Sequence, residues 1–281
     1  MNRAYARPES IEQLLALLQQ PNAAILCGGT DLVVKIRTRL LDPSLLIDIS
    51  ELPPLRTIAW EEDRVEIGAA VTESELLASE ELVARFPLMA RVLRVLGSVQ
   101  IRNRGTLGGN IVNASPAADS AIPLLLYDAE VRIAGPSGER DLPLERFLEG
   151  PGRTALEAGE FVRAISLRYP KDGFRIAFHK VGRRRALTIA IASAGSLIRV
   201  ADGRFAEARL AAGSVAPTPL RLRGVEDMLR DEVPTPPLIS EAAALAAETV
   251  SPIDDIRASA TYRRLVTRDL VARFLEEAHN A

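Results

Sequence analysis

Two pairs of adjacent glycines carry the residues of this chain best suited to chemistry. The first lies in Ile25-Leu26-Cys27-Gly28-Gly29-Thr30-Asp31-Leu32, where an apolar run stops and a hydroxyl and a carboxylate open a helical pattern. The second lies in Arg104-Gly105-Thr106-Leu107-Gly108-Gly109-Asn110 and runs on to Ser115-Pro116-Ala117-Ala118-Asp119. Glycine permits positive φ and lets bare N–H groups approach a ligand. Such groups near a helix start form a concave site for phosphate oxygens. Two turns of this kind point to a diphosphate held from two sides, as a dinucleotide such as FAD presents it. Thr30 and Thr106 offer hydroxyls, and Asn110 an amide, to phosphate or ribose oxygens. Neither segment fits Gly-x-Gly-x-x-Gly or the P-loop, so neither an NAD Rossmann site nor an NTPase is indicated.

Other reactive side chains are sparse. Asp119 reads either as a helix cap or as an acceptor for a ribose or ribityl hydroxyl. Cys27, in an apolar strand, reads as a small buried hydrophobe. Lys180 stands beside His179 and before Arg183-Arg184-Arg185, a run that suits a solvated face, a cofactor anion or an acidic patch on a partner. Cys27 is the only cysteine, and the two histidines are His179 and His279. No intrachain disulfide or iron–sulfur cluster can be built from one thiol. The histidines are too few for a zinc site or a Ser–His–Asp arrangement. Redox chemistry would have to come from an organic cofactor, and a cytoplasmic location is the simplest expectation.

Composition agrees with an ordinary globular protein. The 281 residues are 47% apolar and 26% charged, with 35 basic and 37 acidic residues for a net charge of −2. No basic stretch dominates and aromatics are 4%, which argues against a nucleic-acid surface. No apolar run reaches the roughly 18 residues of a membrane span. Met1-Asn2-Arg3 leads into polar residues rather than a secretory signal.

The elements that must position these residues fall into three units. Ser10 caps a helix bearing Ile11, Leu14, Leu15 and Leu18; a strand at 23–27, a helix at 32–40 and a strand at 45–49 follow. The second unit opens with a hairpin over 58–71 turning at Glu62-Asp63. It continues with a Thr72/Glu75 capping box, a helix over 87–96 with Leu88, Val92 and Val95 on one stripe, and strands at 129–133 and 161–169. Pro170-Lys171-Asp172-Gly173 reads as a linker. In the third unit, strands at 187–200 and 204–215 meet at Asp202-Gly203, a strong hairpin signal. Helices at 239–249 and 259–277 close the chain, the last with Tyr262, Leu265, Val266 and Leu270 at helical spacing.

Over essentially its full length the sequence resembles the FAD-binding subunits of the molybdenum hydroxylases. The resemblance is carried by Cys27-Gly28-Gly29-Thr30-Asp31-Leu32, by Gln100-Ile101-Arg102-Asn103-Arg104 leading into Gly105–Asn110, by Ser115–Asp119, and by Lys180-Val181-Gly182-Arg183-Arg184-Arg185-Ala186. It implies an α+β chain. A vanillyl-alcohol-oxidase (PCMH)-type FAD-binding domain would occupy residues 1–170, as two α/β subdomains of about 1–54 and 55–170. A C-terminal domain with a small antiparallel sheet and helices would occupy 174–281. Carried over, Ile25 to Leu32 and Thr106 to Asn110 would hold the pyrophosphate. Leu96 would lie on the adenine side, Asp119 would bind a cofactor hydroxyl, and Ile165 and Lys180 would approach the isoalloxazine.

The function so implied is electron transfer through FAD within a complex. Its partners would be a large molybdopterin subunit and a small subunit with [2Fe-2S] clusters, assembled as a dimer of heterotrimers. The chain departs from the family pattern in three ways. Cys27 replaces an Ala common there, the cysteines of an extra iron–sulfur insertion are missing, and Thr188 stands where many members have Asp. In members that use NAD that Asp lies on the nicotinamide side, so Thr188 argues against NAD as acceptor. Two other readings stay open on sequence alone: a stand-alone flavin oxidase or dehydrogenase, and a non-enzymatic scaffold with a vestigial flavin site.

Overall fold

The computed structural model describes residues 3–184 and 188–279. The chain begins with β1 (Ala4–Ala6), α1 (Ile11–Leu18), β2 (Ala23–Leu26), α2 (Leu32–Arg37) and β3 (Leu45–Asp48). These strands form a parallel sheet in the order β1-β3-β2. Ser10 caps α1 through a bond from the Gln13 N–H, as its spacing predicts. Leu14, Leu45, Ile47, Ile49 and Leu55 build the core of this unit, which also takes in Phe161 from the next. The helix expected over 32–40 ends at Arg37, and Arg39 then turns at φ 60.

The second unit is an antiparallel sheet covered by short helices. Its strands are β4 (Ile58–Trp60), β5 (Arg64–Gly68), β6 (Glu130–Gly135), β7 (Gly138–Pro143) and β10 (Phe161–Arg168), in the order β4-β5-β10-β6-β7; a small ribbon of β8 (Leu148–Gly150) and β9 (Arg153–Thr154) lies between β7 and β10 in sequence. The helices are α3 (Glu73–Ala78), α4 (Glu80–Arg85), α5 (Pro87–Val95), α6 (Val99–Arg102), α7 (Leu107–Val112), α8 (Ala121–Leu126) and α9 (Leu144–Phe147). The Thr72/Glu75 capping box forms in full at the start of α3. On α5, Leu88 and Val92 are buried but Val95 is half-exposed, so the apolar stripe stops one turn early. Tyr127 fills the core against Phe86, edge to face at 5.0 Å, and its hydroxyl accepts the Leu88 N–H.

The third unit is a sheet of β11 (Arg175–Val181), β12 (Ala192–Ala201), β13 (Arg204–Gly213) and β14 (Leu220–Arg221), backed by α10 (Arg223–Leu229), α11 (Pro236–Thr249) and α12 (Ala260–His279). Asp202 and Gly203, at φ 50 and 72, make the hairpin turn between β12 and β13. The strand expected from Leu187 starts instead at Ala192, and Leu187 itself lies outside the described residues. The apolar pattern is half right on α12: Val266 and Leu270 pack against the core, but the other two residues do not. Tyr262 and Leu265 are each 45% exposed, while Arg263, Thr267, Val271, Phe274 and Leu275 face inward. Arg263 is buried because its Nη1 donates to the carbonyls of Ile191 and Ser214, both at 2.7 Å, which compensates its desolvation.

Among the contacts that join the third unit to the second, one clasps the end of a helix. Helix α8 ends with free carbonyls, as every helix does. Arg221 Nη1 donates to Leu125 O at 3.0 Å, and Arg209 Nη1 donates to Leu126 O at 2.8 Å. Arg221 also forms a bidentate pair with Glu226, at 2.6 and 2.7 Å, and reaches Asp128 at 2.6 Å. Both Arg221 and Glu226 are buried. Arg221→Met should therefore cost about 3–5 kcal/mol, the penalty for stranding a buried carboxylate. It should be read as a lower urea midpoint; an unchanged midpoint would show that Glu226 does not depend on this partner.

Candidate functional site

The two glycine segments meet. Gly28 follows β2, and its backbone packs so tightly on the second segment that a Cβ there would lie 2.0 Å from Arg104 O and 3.1 Å from the Gly105 α-carbon. Only glycine fits such a contact. Of the four paired glycines, Gly29 alone sits at positive φ, 75°. Gly108 and Gly109 do not form an isolated turn; they lie in the first turn of α7, where the Thr106 hydroxyl caps the Gly109 N–H at 3.1 Å. Their role is close approach rather than reversed φ. At the start of α2, Asp31 occupies the N-cap position without a side-chain cap bond, so its carboxylate does not consume the N–H groups that open the helix.

Between these segments lies a cavity of about 310 Å³. Ile25 and every residue from Cys27 to Leu32 line it, together with Leu96, Thr106, Gly108, Gly109 and Asn110. A second cavity, of about 510 Å³, shares Asp31, Leu96, Ile101, Asn110 and Asn113 with the first. Asp119, Lys180 and Thr188 lie in this second one. The sequence-separated candidates thus converge on one continuous groove.

Three do not line it. Leu26 holds the end of β2, accepting the Ile49 N–H at 2.9 Å, and Leu107 is fully buried in the core. Ile165 is also fully buried, at the centre of β10 between Ile67 and Val131. The residues that β10 brings to the cavity are Phe161 and Val162.

The groove carries a distinct electrostatic pattern. Asp119 is 5% exposed and its Oδ2 pairs with Lys180 Nζ. Burial raises the Asp119 pKa against the opposing pull of Lys180 and Ser193. Its Oδ1 is buried with no hydrogen-bond partner among the described residues. An acceptor so placed suits a ligand hydroxyl. Burial also pushes the Cys27 thiol up, only partly opposed by its hydrogen bond with Thr106, which leaves a poor nucleophile. His179 stacks on Phe274 at 5.5 Å, outside the groove, and burial together with Arg273 lowers its pKa. Arg183 donates to Ile256 O, and Arg185 lies outside the described residues.

Sequence reasoning passed over two charged residues here. Lys35, in the last turn of α2, lines the first cavity and donates from Nζ to Asn113 Oδ1 at 2.6 Å, bridging the two segments. Glu73 lines the same cavity at 1% exposure, and its pKa is raised to about 7, chiefly by burial. In sequence it is an ordinary acid in the first turn of a helix, so nothing marked it out. Among the described residues, no cluster of three His, Cys, Asp or Glu could hold a metal ion. None of their helices is long and apolar enough to cross a membrane.

Comparison with known proteins bears on this arrangement. Residues 1–170 match the FAD binding domain in molybdopterin dehydrogenase, and residues 177–278 match the CO dehydrogenase flavoprotein C-terminal domain. The carbon monoxide dehydrogenase medium chain of Hydrogenophaga pseudoflava is 32% identical over 98% of this chain and 96% of its own length. The xanthine dehydrogenase FAD-binding subunit of Escherichia coli O157:H7 is 31% identical over 98% and 95%. Reconstituted CO dehydrogenase from Oligotropha carboxidovorans superposes with a TM-score of 0.95 at 30% identity, covering 100% of this chain and 98% of that one. The likeness runs from the first glycine segment to the last helix, and on it the chain belongs to the FAD-binding subunits of the molybdopterin dehydrogenases.

Proposed function

We propose that this chain binds one FAD in the groove between its glycine segments and passes electrons from a partner's [2Fe-2S] clusters to an external acceptor. The observation that carries the reading is the convergence of both segments, the buried Asp119–Lys180 pair and its unsatisfied Oδ1 on a single groove. The backbone from Ile25 to Leu32 and from Thr106 to Asn110 would face the diphosphate, with Lys35 supplying a positive charge nearby. Leu96 would bound the adenine side. Asp119 Oδ1 would accept a hydrogen bond from a hydroxyl of the cofactor's polyol or ribose, and Lys180 would hold that carboxylate in place. FAD supplies the redox chemistry when bound, and the protein binds it, orients it and keeps water out.

In this proposal residues 1–170 form the FAD domain and 174–281 the C-terminal domain. The chain, with one cysteine, cannot carry an iron–sulfur relay. A small [2Fe-2S] subunit and a large molybdopterin subunit that oxidises the substrate would complete the complex, two such heterotrimers pairing in the cytoplasm. The names of the relatives, medium chain and FAD-binding subunit, support this division.

No His or second Cys stands in the groove to tether a flavin, so the cofactor should be non-covalent. Acid precipitation of purified protein should leave FAD in the supernatant; flavin held in the pellet, or FMN in its place, would refute this. The site map is tested at Gly109, where a Cβ would meet only Thr106 Oγ1, at 2.9 Å. Gly109→Ala should keep the fold, lose about 1 kcal/mol with the disturbed cap, and bind FAD at least roughly tenfold more weakly, since its methyl enters the path of the phosphate. Unchanged affinity would show that α7 does not face the diphosphate.

The acceptor is tested at Thr188, which lines the groove beside Lys180. Stopped-flow reoxidation of the reduced protein should be slow with NAD⁺ and faster with oxygen, a quinone or a protein carrier. Fast, saturating reoxidation by NAD⁺ would show that a carboxylate at position 188 is not needed.

A further inference from the structure

Glu73 is a buried acid without a structural reason for its charge. It opens α3, where the Thr72 hydroxyl already caps the helix and its own N–H donates to Gly105 O at 2.9 Å. The side chain is 1% exposed. Oε1 has one long contact, from Asn110 Nδ2 at 3.5 Å, and Oε2 has no hydrogen-bond partner among the described residues. A buried unsatisfied carboxyl oxygen is costly to keep. Its position is specific: a Cβ on Gly105 would lie 3.2 Å from Oε2, so the carboxyl rests over the α-carbon that joins the two glycine segments. Glu73, Gly105, Gly109 and Asn110 all line the first cavity. Ser120 Oγ donates to Asn110 Oδ1 at 2.8 Å, which turns the Asn110 amide nitrogen toward Glu73.

The surrounding charges leave this carboxyl undecided between its two forms. Arg102 on α6 lowers its pKa, but that guanidinium is committed to the carbonyls of Leu96 and Gly97, at 2.8 and 3.4 Å. Asp31 at the start of α2 raises it, and the Asn110 contact lowers it slightly. Lys35, also on α2, is engaged with Asn113. Burial outweighs these and brings the group to about 7.

A carboxylate in a cavity built for a diphosphate would repel it, whereas a carboxylic acid is a strong donor. We propose that Glu73 is a cofactor ligand that binds as the neutral acid, donating its Oε2 hydrogen to a phosphate oxygen of the dinucleotide, so that FAD binding takes up one proton from solvent. This rests on the FAD reading above. Below about pH 7 the proton is already in place. Above it, each bound FAD must recruit one, so affinity falls as pH rises.

The test is titration of the FAD-free full-length chain with FAD between pH 6 and 9. Wild-type affinity should be flat up to pH 7 and then fall by about tenfold per pH unit, the slope for one proton. Calorimetry at pH 8 in buffers of different ionisation enthalpy should show uptake of close to one proton per FAD. Glu73→Gln, which keeps a donor and cannot ionise, should bind FAD with no such slope. Riboflavin, which lacks the diphosphate, should also bind without it. FAD binding with no proton uptake, or the same slope in Glu73→Gln or with riboflavin, overturns the role of Glu73 and leaves the cofactor assignment standing. Failure to bind FAD at any pH overturns both.

Discussion

The architecture depends on one backbone contact, Gly28 against the Arg104–Gly105 peptide. No side chain can stand between them, so the end of a parallel strand and the loop before α7 are held at van der Waals distance. Everything that gives the groove its shape follows from that approach. The turn at Gly29 sends α2 away from the contact on one side, and α7 leaves it on the other. The space between the two helix starts is the floor of the first cavity. The first two units are keyed to each other where the proposed ligand would lie, so the shape of the groove cannot be varied apart from that contact.

Much of this was legible from residue types. The glycine pairs announced the groove because they interrupt apolar runs and carry hydroxyl, amide and carboxylate neighbours. Caps at Ser10 and Thr72 and the Asp202-Gly203 turn were legible because each uses a local rule that the fold does not override. What escaped were features decided by distant partners. The inward face of α12 is set by carbonyls at Ile191 and Ser214, some 50 to 70 residues away in sequence, which take in Arg263 where periodicity pointed to Tyr262 and Leu265. Helices α6, α7 and α8, of four to six residues, are too short to show a period. Glu73 was invisible for the same reason: its burial comes from Gly105 and Asn110, not from its neighbours in the chain.

The chemical inventory fits the family. With one half-buried thiol of raised pKa and a histidine packed on phenylalanine outside the groove, the chain has few side chains suited to transforming an organic substrate. Its resources go into holding a charged, polyhydroxylated molecule. Backbone at the glycine segments, Lys35 at one end and the Asp119–Lys180 pair at the other span the groove. This is the division of labour of a flavoprotein subunit, in which binding and orientation are the protein's contribution.

The clamp of Arg221 and Arg209 on the end of α8 has a further meaning for how such a chain can be inherited. Helix α8 begins two residues after Asp119, whereas Lys180 belongs to β11, in the unit that supplies both arginines. The carboxylate and its ammonium partner therefore arrive from opposite sides of the 170–177 junction and are brought together by a docking that neither side performs alone. A recombination event at that junction would leave the glycine segments and Asp119 on one side and take away the ammonium that holds the Asp119 carboxylate. The segments matched by the two families therefore share one charge pair of the groove, and exchanging either one exchanges half of that pair.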